Sequence, residues 1–252
     1  MRKKIRLMII LLILIGLTVA VTSLFFLIKN KQILFNPMFV SREKQIVGVD
    51  ISHYQGEVDF NKLAGQGIKF AYIKATEGSA YTDEHFADNW EKANSSALSS
   101  GVLIGAYHFF SFGSGGGVQA ENYASVVGDL KGKLIPVVDV ELYGEYLNQP
   151  PDNNSVVTEL KSYLRALEIR YGVKPMIYAE VDVYKRYLEG NFSGYPFWIR
   201  SVFYPIDWEF HHDWTLWQYT DRGELDGYYG EDKYIDLNVL KDGKKLEDLV
   251  VR

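Results

Sequence analysis

Apolar residues are distributed along this chain in three ways. Residues 7–28 form one unbroken apolar stretch. From residue 46 onward, short apolar runs alternate with segments whose apolar positions recur every three or four residues. The short runs predict strands at 46–51, 70–74, 103–109, 135–140, 175–178, 197–199, 216–219 and 234–237. Helical spacing shows in Phe86, Trp90, Ala93 and Ala97, behind an expected Thr82 cap and stopped at Gly101. Ala120, Ala124 and Val127 mark a second helix. Val156, Leu160, Leu164, Leu167 and Tyr171 mark a third, capped at Asn154 or Ser155 and closed by Gly172. Strands alternating with helices in this way predict an α/β fold with a mostly parallel sheet. About eight of them close into an irregular (β/α)8-like, TIM-type barrel. Helical patterning fades in the last third, so the irregularity is expected there. An open doubly wound sheet is the alternative. Its nucleotide fingerprint is absent, because the Gly-rich stretch 112–118 lacks both the Lys-Ser/Thr of a phosphate loop and the last Gly of a dinucleotide loop. That stretch reads as a flexible loop beside the strand ends.

The first apolar stretch is a different object. Twenty-two helical residues span about 33 Å, enough to cross a bilayer core. Arg2, Lys3 and Lys4 precede it, and Lys29 and Lys31 come after it. A cleavable signal has a shorter apolar region that ends in small residues. Here LFFLI runs on past the small-residue cluster at 20–23. Residues 1–31 therefore read as a cytoplasmic tip and a single transmembrane signal anchor, residues 32–45 as a stalk, and residues 46–252 as the barrel. The stalk has no Gly/Ser- or Pro-rich character and is expected to pack partly on the body. The leading positive cluster keeps the N-terminus inside and exports the body from the cell membrane. Secretion after signal cleavage is the alternative.

Composition narrows the function. The 252 residues contain no Cys, which excludes disulfides, thiol nucleophiles and Cys-bound metals. The net charge of −5 hides an asymmetry: six Lys/Arg and no acid lie in residues 1–31, leaving 21 basic against 32 acidic side chains in the rest, a net of −11. An acidic body gives no footprint for nucleic acid. Aromatic residues make up 15% of the chain, with 18 Tyr, a composition suited to stacking on uncharged sugars.

In such a barrel, chemistry sits at the C-terminal ends of the strands. Asp50 ends the first predicted strand, Lys74, Thr76 and Glu77 the second, and His108 the third. Asp139 and Glu141 end the fourth, and Asp236 the eighth. Residues i and i+2 of a strand share a face, so Asp139 and Glu141 project together. Four carboxylates in one pocket cannot all ionise, so at least one pKa must rise. A carboxylic acid kept protonated beside an ionised partner is the equipment of glycoside hydrolysis. Solvated loop acids, or a Mg²⁺ or Ca²⁺ site, are the competing readings. Tyr72, Tyr107, Tyr178, Trp198, Trp217, Gln218 and Tyr219 lie on strands near the same rim and are candidate sugar contacts. His53 and His108 read as structural hydrogen-bonding residues. His211 and His212 have no third ligand at helix spacing, so no metal and no cofactor is expected.

Six blocks occur in order: GVDISHYQG (48–56), AYIKATEG (71–78), GAYHFF (105–110), PVVDVE (136–141), IYAE (177–180) and LWQYT…IDLN (216–238). Together they resemble the glycoside hydrolase family 25 lysozymes, the Chalaropsis-type N-acetylmuramidases, over roughly residues 46–240. The resemblance implies cleavage of the β-1,4 bond between N-acetylmuramic acid and N-acetylglucosamine in peptidoglycan glycan strands. It implies Glu141 as general acid and Asp139 as its partner, assisting the substrate's 2-acetamido group or stabilising the oxocarbenium ion. Asp50 and Asp236 match the family's two other pocket acids, and Tyr178 and Tyr219 fall in blocks near its site. Arg200 stands where similar proteins often have a small residue. No wall-binding module comes after the barrel, so localisation falls to residues 7–28 in the cytoplasmic membrane, with any envelope partner unidentified. A non-catalytic wall-binding or scaffolding barrel, and a hydrolase of another N-acetylated glycan, are the rival functions.

Overall fold

The computed structural model describes residues 2–30 and 35–252. Lys31 and stalk residues 32–34 lie outside the described residues. Helix α1 (Arg2–Lys29) is long and apolar enough to cross a membrane, and its most apolar window is nowhere buried against protein. Its two threonine hydroxyls are satisfied within the helix: that of Thr18 donates to the Leu14 carbonyl and that of Thr22 to the Thr18 carbonyl, both at 2.9 Å. A membrane anchor and a signal sequence meet these criteria equally.

The body is built on strands β1 (Val47–Ile51), β2 (Ile68–Glu77), β3 (Tyr81–Thr82), β4 (Leu103–Phe109), β5 (Val137–Val140), β6 (Met176–Glu180), β7 (Phe197–Arg200), β8 (Leu216–Gly223) and β9 (Ile235–Leu240). Eight of them close a barrel in the order β1-β2-β4-β5-β6-β7-β8-β9, and β9 returns to β1. The short β3 pairs only with the end of β2. Seven barrel strands run parallel. The last, β9, is antiparallel to both β8 and β1. This is the irregularity expected in the last third, and it has a simple cause. Only the loop 224–234 joins β8 to β9, too short for the dozen or more residues of a crossover, so the chain turns back as a hairpin.

Helices α2 (Phe60–Gly65), α3 (Phe86–Ser100), α4 (Gly116–Val127) and α5 (Asn153–Tyr171) cover the outside of the first half. The predicted stripes face inward: Val156, Leu160, Leu164 and Leu167 of α5 are buried, and so are Phe86 and Ala93 of α3. Two helix starts differ from expectation. Thr82 belongs to β3, and α3 begins after His85. Asp152 caps α5, accepting from the Ser155 amide at 2.9 Å, two or three residues earlier than read. Gly172 takes the left-handed conformation that ends α5, as its position in the pattern implied. The Gly-rich stretch is only partly loop. Gly116 opens α4 and lies so close to α5 that an added Cβ would stand 1.8 Å from the Glu159 carbonyl oxygen. Its glycine lets two helices touch.

Candidate active site

Strand alternation sorts side chains between the barrel interior and the helical shell. Asp139 lies on β5 and Glu141 one residue beyond Val140, so both face inward while Val140 is buried on the outer side. Register brings their neighbours to the same height: Asp139 is paired with Phe109 on one side and Tyr178 on the other. Across the barrel, Asp50 of β1 is paired with Asp236 of β9. The sequence pattern puts Asp236 at the end of a parallel strand. It stands instead near the start of an antiparallel one, and the reversal delivers it to the same rim. The four acids line one cavity of about 210 Å³ together with Lys74, Tyr107, Tyr178, Trp198 and Tyr54. An adjoining arm of about 300 Å³ continues past Tyr54, Asp221, Asp232 and Tyr234.

The two acid pairs are held differently. Asp50 accepts a 2.7 Å hydrogen bond from the Asn238 side chain, whose oxygen accepts from Trp198 Nε1 at 2.8 Å. Burial pushes Asp50 up to about 6, against the Asn238 and Asp236 hydrogen bonds that lower it. Burial, and then the charge of Asp50, carry Asp236 well above the usual carboxylate range. Asp139 is buried, and its Oδ1 has no hydrogen-bond partner among the described residues. Burial and then the neighbouring Glu141 raise its pKa strongly. Glu141 is half-buried at the mouth. Burial and Glu180 raise its pKa, while a hydrogen bond with Tyr178 and the charges of Arg200 and Lys74 oppose the rise. All four carboxyls are thus raised above their ordinary range, with burial the first cause at each.

Arg200 braces this rim from β7. Its guanidinium reaches Glu180 Oε1 at 2.5 Å and Asp221 Oδ2 at 2.9 Å, linking β6, β7 and β8. Lys74 is bonded to Glu77 at 2.8 Å and lies 4.9 Å from the Phe109 ring centre. Among the described residues, no group of three or more His, Cys, Asp or Glu is arranged to hold a metal ion.

The seven candidate sugar contacts separate into four groups. Tyr107, Tyr178 and Trp198 line the cavity. Gln218 stands behind Tyr178 and accepts its hydroxyl at 2.6 Å. Tyr72 lies below the floor, fully buried against Trp198 with its hydroxyl on the Ile135 carbonyl. The structure does not bring Trp217 and Tyr219 into the cavity. They flank inward-facing Gln218, so alternation turns both outward, where Trp217 Nε1 donates to the Ser201 carbonyl at 2.8 Å. His108 is structural: buried, held between Thr76 and Gln119, with burial lowering its pKa to about 4. His53 bonds Asp83 at 2.9 Å. Sequence reasoning missed Asn238 and the partners of Arg200. Asn238 was within reach, because it stands two residues after Asp236 in IDLN and must share its face.

The chain matches the model of glycosyl hydrolases family 25 over residues 49–228. A family 25 glycosyl hydrolase from Bacillus anthracis superposes with a TM-score of 0.75 at 41% identity, covering 84% of this chain and 96% of that one. The bacterial lysozyme of Streptomyces coelicolor superposes with a TM-score of 0.67 at 26% identity, covering 82% and 95%. Among curated proteins, an N,O-diacetylmuramidase from Chalaropsis is 30% identical over 53% of this chain and 65% of its own length. With its eight-stranded barrel and the acid-lined mouth, the chain belongs to glycosyl hydrolase family 25 and is a glycoside hydrolase.

Proposed function

We propose that this chain is a muramidase: it cleaves the β-1,4 bond between N-acetylmuramic acid and N-acetylglucosamine in peptidoglycan. The observation that carries the reading is the arrangement of Glu141 above Asp139, an acid whose pKa burial raises, next to a buried partner with an unpaired oxygen. Glu141 donates its proton to the glycosidic oxygen as the bond breaks. Asp139 orients the substrate's 2-acetamido group or stabilises the oxocarbenium ion. Asp50 and Asp236 share a proton on the opposite wall and hydrogen-bond the sugar. Tyr178 orients Glu141, and Tyr107 and Trp198 form the apolar part of the floor. Relatives named as lysozymes and as an N,O-diacetylmuramidase agree with this choice of bond.

Helix α1 is read as an uncleaved anchor, with the basic N-terminus inside and the barrel outside the cytoplasmic membrane. The test of the bond is mass spectrometry of a peptidoglycan digest made by the purified chain. Muramic acid at the new reducing ends is expected. Glucosamine at those ends, or binding without cleavage, would overturn the reading.

A further inference from the structure

Between the end of α1 at Lys29 and Phe35 lie only residues 30–34. Fully extended, that connection reaches about 20 Å. The segment from Phe35 onward is fastened to the barrel. Asn36 is fully buried, and its side-chain amide donates to the Ser201 carbonyl at 2.7 Å and the Tyr219 carbonyl at 3.1 Å. The segment thus covers the outer face of β8, where the hairpin to β9 has left no helix. Met38 and Phe39 of this segment nevertheless point to solvent, and Phe35 is half-buried. Phe35, Phe39 and Trp208 form a ring cluster with centroids 5.1, 5.7 and 6.2 Å apart. Trp208 is 59% exposed, Phe39 50% and Met38 77%. A fixed, exposed aromatic cluster is costly in water and marks an interaction face.

Relying on the reading of α1 as a membrane anchor, we propose that Phe35, Met38, Phe39 and Trp208 form a docking face that sits in the interface of the bilayer α1 crosses. Trp and Phe settle at the headgroup level, apolar body inward. The short connection keeps the cluster beside that surface and near no other extended apolar phase. Asp207 flanks Trp208, so capture is by apolar insertion and not by attraction to anionic lipid. The connection bearing Trp208, on a short helix at Ile206–Glu209, leaves β7 immediately after Arg200 of the site rim. Docking therefore fixes the height of the cleft above the membrane and directs cleavage to the glycan nearest it.

The chain's lack of Cys makes the test direct. Single Met38→Cys, Leu98→Cys and Leu14→Cys versions of the full chain carry an environment-sensitive fluorophore in phosphatidylcholine vesicles doped with nitroxide lipid, labelled at a shallow position for the Met38 and Leu98 probes and deep in the acyl chain for the Leu14 probe. The Met38 probe is expected to be quenched about twofold, equally at low and high salt, while the Leu98 probe on α3 is not. Adding Trp208→Asp should remove the quenching and leave hydrolysis of a soluble glycan fragment intact. A quenched Leu14 probe with an unquenched Met38 probe overturns docking and leaves the anchor standing. An unquenched Leu14 probe overturns the anchor and docking with it. A blue-shifted but unquenched Met38 probe overturns the lipid in favour of a protein, such as a second copy.

Discussion

The two walls of the cavity reach the same chemical group by opposite routes. Asp139 and Glu141 come from one short run of chain, set side by side by strand alternation alone. Asp50 and Asp236 come from the two ends of the barrel sequence and meet only because β9 runs backwards against β1. The first pair is left electrostatically exposed to itself: Asp139 keeps an oxygen without a partner, and Glu141 feels Glu180. The second pair is tied down through Asn238 and Trp198. A carboxylate with unmet hydrogen-bonding capacity is ready to act on a substrate, and one inside a bonded network is ready to position it.

The largest test of that contrast compares Glu141→Gln with Asp50→Asn. Gln cannot give up a proton, so turnover should fall by about 10²- to 10⁴-fold, with the melting temperature held within a few degrees. Asp50→Asn keeps size and hydrogen-bonding capacity and should cost about tenfold, mostly in KM. Initial rates of reducing-end release read both. Equal losses in kcat would erase the distinction between an acting wall and a positioning wall.

This asymmetry also explains what the sequence could and could not disclose. The pair on β5 was legible because period 2 is a local rule. Membership of the barrel was legible for Asp50, Tyr107 and Tyr178, since each closes an apolar run. Strand direction was not: the run at 234–237 looks the same read either way, so Asp236 was assigned to the right rim at the wrong end of its strand. The same local rule was enough to separate Gln218 from Trp217 and Tyr219, which no single strand can aim at one pocket. Asp221 defeats that rule, because a register shift in β8 between Gln218 and Thr220 breaks the alternation and lets it meet Arg200. Caps were off by two or three residues because Asp152 and Asn154 are chemically equivalent caps, and only the backbone decides between them.

A smaller effect should sharpen the comparison by loosening one wall. Arg200 lowers the pKa of Glu141, Asp50 and Asp236 together, and it also holds Glu180, whose charge raises Glu141. In Arg200→Met, the cation goes and Glu180 is released. Each of the three acids should then hold its proton to higher pH. The alkaline limb of the activity profile, where Glu141 loses its proton, should move up by about one unit. Arg200→Lys should restore part of the shift, since it replaces the charge without the two-armed contact. A profile that does not move would show that Arg200 only braces the three strands.

The smallest effect concerns the cost of keeping both walls buried. Asp50 titrates at about 6 in the folded chain against an ordinary 3.8, and Asp236, Asp139 and Glu141 are also raised. The folded state therefore binds these protons more tightly than the unfolded state does. For Asp50 the stabilising share is complete below about pH 4 and is lost as pH climbs through about 6; for the other three it is lost as pH rises through their raised pKa values. For Asp50 it amounts to at most about 3 kcal/mol, less after solvent screening at the open mouth. His108 pulls the other way: burial holds it at about 4 against an ordinary 6.5, so protonation favours the unfolded chain as pH falls through 6.5, and the exposed, lowered acids Glu57 beside Lys92 and Asp213 beside Lys241 and Lys244 add a smaller opposing share. The acids' share of the melting temperature should accordingly fall by a few degrees between pH 5 and pH 7.5, read as the difference between the parent and Asp50→Asn, in which the His108 share cancels. Asp50→Asn should flatten that slope and melt higher than the parent at pH 7.5, because an amide has no charge to bury. A parent-minus-variant difference that stays constant across the same range would mean that Asp50 meets no burial cost, and its wall would lose its reason for holding a proton near neutral pH.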